Sequence, residues 1–226
     1  MRLLIDDASL ENIKQLYEYF PVCGVTTNPT ILFKNGKHPV DSLKEIRDFI
    51  GEDELHVQVL SDSAEGIIKE AKALKEKFGD NTFIKIPVNK EGLKAIKTLK
   101  KEETYITATA IYSPTQALLA SLAGADYVAP YINRIDNLGY DGISTTIKIQ
   151  NILYESNTHT KVLAASFKNT NQVLKLAEYG IATATCSYDV FKKFLDDSNV
   201  NKAVDDFVRD FKSINGMKVS WNDYLN

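Results

Sequence analysis

Cysteine is scarce, with only Cys23 and Cys186 among 226 residues. Neither stands in a Cys-x-x-Cys pair or a Cys/His cluster, which argues against a disulfide scaffold and a zinc module and suits a reducing cytoplasm. Histidine is sparse too: His38, His56 and His159 are scattered without ligand spacing, so no metal is expected. No apolar stretch reaches membrane-spanning length, and the first strand-like run, Arg2 to Ile5, meets Asp6 and Asp7 in place of a secretory apolar region. One-sided charge is also missing. The 27 basic and 30 acidic residues are mixed along the chain for a net charge of -3, and no basic block interleaves with aromatics. These absences predict a soluble cytoplasmic protein with neither a nucleic-acid nor a membrane partner.

What is present is ordinary globular composition, 44% hydrophobic and 25% charged, enough for one large core. Short apolar, β-branched runs recur at Leu3 to Ile5, Gly24 to Thr26, Leu55 to Leu60, Thr82 to Pro87, Tyr105 to Ala110, Tyr127 to Pro130, Lys161 to Ser166 and Ile181 to Cys186. Helical patterns separate almost every pair. Ser113-Pro114 reads as an N-cap followed by proline at the first helical position, and Gly124 ends that segment. Asp62 with Glu65 has capping-box spacing, Thr170 or Asn171 opens a later helix, and Gly180 follows it as a stop.

Strands that are apolar on both faces and alternate with helices predict a parallel sheet. Eight units in 226 residues fit a compact α/β single-domain (β/α)8 TIM barrel. No Gly-rich dinucleotide or Walker loop follows any strand, which counts against an open doubly wound sheet and a nucleotide cofactor. No linker or composition shift marks a second domain. Residues 1–226 are therefore expected as one barrel with an extra C-terminal helix over about 200–214 and a tail to 226. That helix sets Ala203, Val204, Phe207, Val208 and Phe211 on one face.

In such barrels chemistry gathers at the C-terminal ends of the strands. Those ends carry Asp6, Thr26, Asn28, Gln58, Lys85, Thr109, Tyr131 and Ser166, with Arg134 and Lys168 in the loops after the sixth and seventh strands. Each has a plain structural alternative. Asp6 or Ser166 could cap a helix, Asn28 before Pro29 could be a turn residue, Thr26 and Thr109 are ordinary β-formers, and Arg134 could pair with Asp136. Lys85, flanked by Ile84 and Ile86, is the sharpest case. Desolvation would lower its pKa and make it a nucleophile, although the stretch by itself favours a lysine snorkelling from a sheet edge. The convergence of all these groups on one mouth favours a site.

The segments Cys23-Gly-Val-Thr-Thr-Asn-Pro-Thr30, Ile84-Lys-Ile-Pro-Val88, Ala123-Gly-Ala-Asp-Tyr-Val-Ala-Pro-Tyr131, Asn133-Arg-Ile-Asp136 and Val162-Leu-Ala-Ala-Ser-Phe-Lys168 resemble the transaldolase family, and most closely its fructose-6-phosphate aldolase branch. The resemblance runs from Leu3 to about Phe207. It implies metal-free and cofactor-free class I aldol chemistry on sugar phosphates, with Lys85 forming an imine. Asp6 and Asn28 would hold the dihydroxyacetone hydroxyls, with Thr26 beside them and Asp6 also placed to assist proton movement. A water held by Gln58, Thr109 and Tyr131 would relay the proton, and Arg134, Ser166 and Lys168 would bind the phosphate.

Transaldolases generally carry Glu at the position of Gln58 and Phe at that of Tyr131, so both residues resemble the aldolase branch. Three features depart from the family pattern: Asp7 after the first Asp, Thr107 in place of an apolar residue, and Cys186-Ser187 after the last strand. The resemblance further implies a homo-oligomer, a pentamer or a decamer, reached through the C-terminal helix. The tail from Met217, with Trp221 and Tyr224, either seals such a contact or stays loose. Transfer of the three-carbon unit between sugars, and non-catalytic sugar-phosphate binding, remain the alternatives.

Overall fold

Eight short parallel strands pair in chain order and close, the first against the last. The computed structural model describes residues 1–215 and 220–225; Met217 of the expected tail and the Tyr224 side chain lie outside what is described. Contacts divide the chain into two compact units, Met1–Phe191 and Lys192–Asn226. In order, the first holds β1 (Arg2–Asp6), α1 (Leu10–Tyr19), β2 (Val22–Thr26), α2 (Pro29–Asn35), α3 (Pro39–Ile50), β3 (Glu54–Gln58), α4 (Ala64–Phe78), β4 (Thr82–Pro87), α5 (Lys90–Leu99), β5 (Ile106–Ile111), α6 (Pro114–Leu122), β6 (Tyr127–Pro130), α7 (Ile132–Asn137), α8 (Gly142–Glu155), β7 (Lys161–Ala164), α9 (Thr170–Tyr179) and β8 (Thr183–Cys186). It ends within α10 (Tyr188–Lys192). The second unit is helical, with α11 (Ser198–Asn215) and α12 (Asn222–Leu225).

The two-sided burial read from the sequence is seen in β4. Ile84 and Ile86 are wholly buried, while the alternate residues Phe83 and Lys85 face the barrel interior. Each isoleucine so buried contributes roughly 1.5–3 kcal/mol of apolar transfer. Inside the barrel, Leu4, Phe83, Tyr127 and Leu163 pack together, with Cys23 against them. Chains of parallel pairs set heights: Lys85 lies level with Gln58 on one side and Thr107 on the other.

Gly24 shows why β2 needs glycine. Its φ is +154°, and a Cβ there would stand 2.3 Å from the Glu54 carbonyl oxygen. The β1–β2 register slips beside it, and the slip lets Thr26 arrive opposite Asp6.

Two helix starts differ from expectation. The cap of α4 is Ser63, whose Oγ accepts from the Gly66 amide at 3.2 Å, rather than Asp62; Glu91 reaches across to the Ala64 amide at 2.9 Å. Asn169 caps α9 through the Gln172 amide, so Thr170 is already helical. In both, the side-chain oxygen two or three residues before the exposed amides wins the position. Ser113 does cap α6 in a full capping box with Gln116, and Gly124 and Gly180 take positive φ beyond their helices. Strand β7 stops at Ala164, two residues short of expectation, because Ser166 turns to φ +63°.

Candidate active site

The site grows out of the C-terminal ends of the strands, at the mouth where β4 delivers Lys85. This side chain is 6% exposed, and its ammonium donates to the Thr27 carbonyl at 2.7 Å. Burial pushes the Lys85 pKa down, Asp6 pulls it back up, and Arg134 lowers it further, leaving it below an ordinary lysine. An amine so held is uncharged more often near neutrality, and only the neutral amine has a lone pair for a carbonyl carbon.

Asp6, from the end of β1, lies across from the lysine. Burial raises its pKa, while the Lys85 charge and a hydrogen bond from Thr26 oppose the rise. The Thr26 hydroxyl donates to Asp6 Oδ1 at 2.7 Å and lies 2.7 Å from the Thr185 hydroxyl, which places β8 in the same cluster. Asp7 does not compete. Its carboxylate turns to the start of α1, accepting from the Ala8 and Ser9 amides at 2.7 and 2.9 Å and from Asn12 Nδ2 at 2.9 Å. Asp6 is thereby freed from capping duty, which Ser9 and Asp7 share.

On the opposite wall, Thr109 Oγ1 and the Tyr131 hydroxyl are 2.8 Å apart. Burial raises the Tyr131 pKa; the Thr109 hydrogen bond, the Arg134 charge and the Ala110 amide all favour the phenolate and offset part of that rise. Ala110 can present its amide because its φ is +57°, inside a β5–β6 irregularity between Ala108 and Ile111. Strain of this kind collects where a side chain must be aimed.

The Arg134 guanidinium lies 4.7 Å from the Tyr131 ring centre, a cation–π contact in place of the alternative pairing with Asp136. Asp136 is instead engaged by the Gly142 amide and Gln172 Nε2, each at 2.8 Å. Asp6, Thr26, Lys85, Thr109, Tyr131 and Arg134 therefore form one electrostatically linked group, and Gln58 joins by register with Lys85.

Asn28 does local work. Its Oδ1 accepts from the Ile31 amide at 3.0 Å as the N-cap of α2, so its amide nitrogen is the part left over for a ligand. Ser166 and Lys168 lie in the loop between β7 and α9, with Lys168 exposed. A cavity of about 360 Å³ beside Asp6 is lined by Asn12, Lys34, Asn35 and Ser187 among others. A larger one, about 590 Å³, opens at the other end of the barrel among Arg2, Glu54 and Tyr127, and Lys85 is not part of its lining.

Two members escaped the sequence reading. The Thr27 carbonyl is a backbone group with no signature, and Thr185 is one β-former among many; only the period-two alternation along β8 could have singled it out. Among the described residues no group of three or more His, Cys, Asp or Glu side chains converges as a metal site.

Comparison with known proteins agrees with this geometry. The family model for transaldolase/fructose-6-phosphate aldolase matches residues 3–225. A Streptococcus pneumoniae (strain ATCC 700669 / Spain 23F-1) protein described as a probable fructose-6-phosphate aldolase is 44% identical over 213 residues, which cover 93% of this chain and 96% of the relative. With its closed eightfold barrel and a buried lysine on β4, the chain belongs to the transaldolase/fructose-6-phosphate aldolase family.

Proposed function

We propose that this protein is a class I aldolase that interconverts fructose 6-phosphate with dihydroxyacetone and glyceraldehyde 3-phosphate. The observation that carries the reading is the buried Lys85 ammonium at the catalytic mouth, with Asp6 on one side and the Thr109–Tyr131 pair on the other. In the cleavage direction the neutral Lys85 amine adds to the C2 ketone, and the resulting carbinolamine hydroxyl takes up a proton and leaves as water, giving a protonated imine. A base takes the C4 hydroxyl proton, the C3–C4 bond breaks, and its electron pair flows into the imine to form an enamine. The aldehyde departs. Carbon 3 is then protonated, and water hydrolyses the imine to free dihydroxyacetone and the amine.

Tyr131 with Thr109 and Gln58 is assigned the water that carries these protons, and a phenol poised by an amide and a hydroxyl suits that exchange. Asp6 and Asn28 hold the hydroxyls of the three-carbon unit, with Thr26 orienting Asp6. Arg134, Ser166 and Lys168 are assigned the phosphate. We further assign the enzyme to the cytoplasm, where its two free thiols suit reducing conditions, and to a ring-shaped homo-oligomer, a pentamer or decamer.

Borohydride reduction with dihydroxyacetone present is expected to add one adduct at Lys85; an unmodified protein in mass spectrometry rejects imine chemistry. A transaldolase, transferring the unit to another sugar phosphate, is the second reading because the family includes that activity. Release of dihydroxyacetone from fructose 6-phosphate over many turnovers without an acceptor separates the two.

A further inference from the structure

One buried titratable group takes no part in the chemistry above. His56, on β3, is wholly buried and points into the barrel two residues before Gln58. Its Nδ1 is 2.8 Å from Thr107 Oγ1, and its Nε2 is 3.2 Å from Glu54 Oε2. Thr107 is level with Lys85 on the neighbouring strand, so this pair lies beside and below the lysine. A carboxylate can only accept, so Nε2 carries the proton toward Glu54, and in the neutral ring Nδ1 accepts from the Thr107 hydroxyl. Thr107 is one of the three departures from the family pattern, and its partner is this imidazole.

The chain of contacts continues downward. Glu54 Oε1 is 2.8 Å from Arg2 Nη1, which also donates to the Tyr127 hydroxyl at 3.0 Å, and both Arg2 and Glu54 line the 590 Å³ cavity. Groups from several strands face the imidazole: Glu54 from β3, Arg2 from β1, Lys85 from β4 and Tyr127 from β6, with the Phe83 ring stacked on it at 4.6 Å. Cys23 from β2 and Leu163 from β7 complete the adjoining core.

We propose that His56 is a positioning residue for Lys85: held by Thr107 and Glu54 in one neutral tautomer, it gives the lysine a polar floor without a second cation. The proposal rests on the reading of Lys85 as the imine-forming residue. An imidazolium there would repel both the ammonium and the protonated imine. Burial lowers the His56 pKa, Glu54 works against that, and Lys85 and Arg2 add to the lowering. Arg2 thus acts at a distance by occupying the Glu54 carboxylate. Removing it leaves Glu54 free to draw a proton onto the ring.

Two measurements test this. In the first, the His56 ring is titrated by NMR in the wild type and in Lys85→Met. Loss of the facing cation is expected to raise the ring's pKa by roughly half to one unit; equal titration overturns the proposal whatever the enzyme's activity. In the second, borohydride trapping with dihydroxyacetone is followed against pH. Arg2→Met is expected to move the acid-side midpoint of trapping by a similar amount, and His56→Gln in the same background is expected to cancel the shift. A purely structural role would lower thermal stability without moving the midpoint, so an unmoved midpoint, or a shift that survives His56→Gln, overturns the proposal. If even the wild type yields no adduct, the assignment of Lys85 fails, and the titration in the first measurement still judges His56.

Discussion

At the scale of single residues, burying Lys85 has two consequences that pH separates. Its lowered pKa means that, between that value and the ordinary lysine range, the unfolded chain binds a proton the folded protein has released. Stability therefore rises with pH through that window, and below it the folded protein carries the full penalty of a buried cation. Lys85→Met is expected to cut aldol turnover on the order of 10³-fold or more. The same change should raise the melting temperature at neutral pH, with the gain shrinking as pH climbs toward 10, the range where an ordinary lysine loses its proton. Calorimetry across pH checks the second effect independently of any assay.

Tyr131→Phe removes the hydroxyl 2.8 Å from Thr109. It is expected to slow release of dihydroxyacetone about 10²–10⁴-fold, as loss of a proton-transfer group does. Trapping of Lys85 should survive, because the imine forms before that step. If trapping disappears as well, the role given to Tyr131 is wrong.

The residue scale is also where sequence reading stops. Lysine between isoleucines and the polar strand ends were visible from alternation alone, because period two forces every second side chain into the barrel. The partners were not. That Asp7 caps α1 while Asp6 faces the lysine depends on where β1 ends, and that Arg134 lies over the Tyr131 ring depends on a turn into α7 that leaves no pattern. His56 and Thr107 stand 51 positions apart, and only the barrel register makes them neighbours.

At the scale of elements, the strands were legible to within a residue or two wherever both faces are buried, as in β4 and β6. Backbone torsion, not side-chain pattern, decides where some of them end or bend. Ser166 cuts β7 short with φ +63°, and Ala110 bends β5 with φ +57°. A β-branched residue is costly in that conformation. Ala110→Val is expected to destabilise by about 1–2 kcal/mol and to turn the Ala110 amide from Tyr131, so turnover should fall more than the stability loss explains. Ala110→Gly, which tolerates the torsion, serves as the comparison and should keep activity.

Gly24→Ala tests a different kind of constraint, since its Cβ would meet the Glu54 carbonyl oxygen at 2.3 Å. Backbone cannot retreat as a side-chain tip can. A drop of several kcal/mol in a denaturant midpoint series, at the upper end of what single substitutions do, is the expected outcome. A near-neutral change would mean that the β1–β2 slip can relax.

At the scale of the whole molecule, the exposed apolar residues of α11 are the feature to explain. Val200, Val204, Phe207 and Val208 are each more than 40% exposed along one helix. Amphipathic pattern announced this helix in the sequence, to within two residues at either end. Pattern could not say what the face meets, because a stripe that covers its own core and one that covers another subunit read alike. If the face serves assembly, Phe207→Asp should reduce the mass seen by light scattering to that of a single chain, 25.3 kDa, with helical content retained. Unchanged mass in the variant, or a monomer in the wild type, sets the assembly proposal aside.

The pairing of β1 with β8 also bears on how the protein is made. These strands are about 180 residues apart, and contacts at such separation form late because loop closure comes first. The Thr26–Thr185 contact lies at that seam, next to the carboxylate that faces Lys85. A nascent chain lacking its eighth strand therefore has the lysine but not the enclosure that strips it of water and depresses its pKa. Reactivity toward carbonyl compounds is switched on only by closure, so recovery of borohydride trapping during refolding should lag the return of helical signal, and half-made chains are spared indiscriminate imine formation.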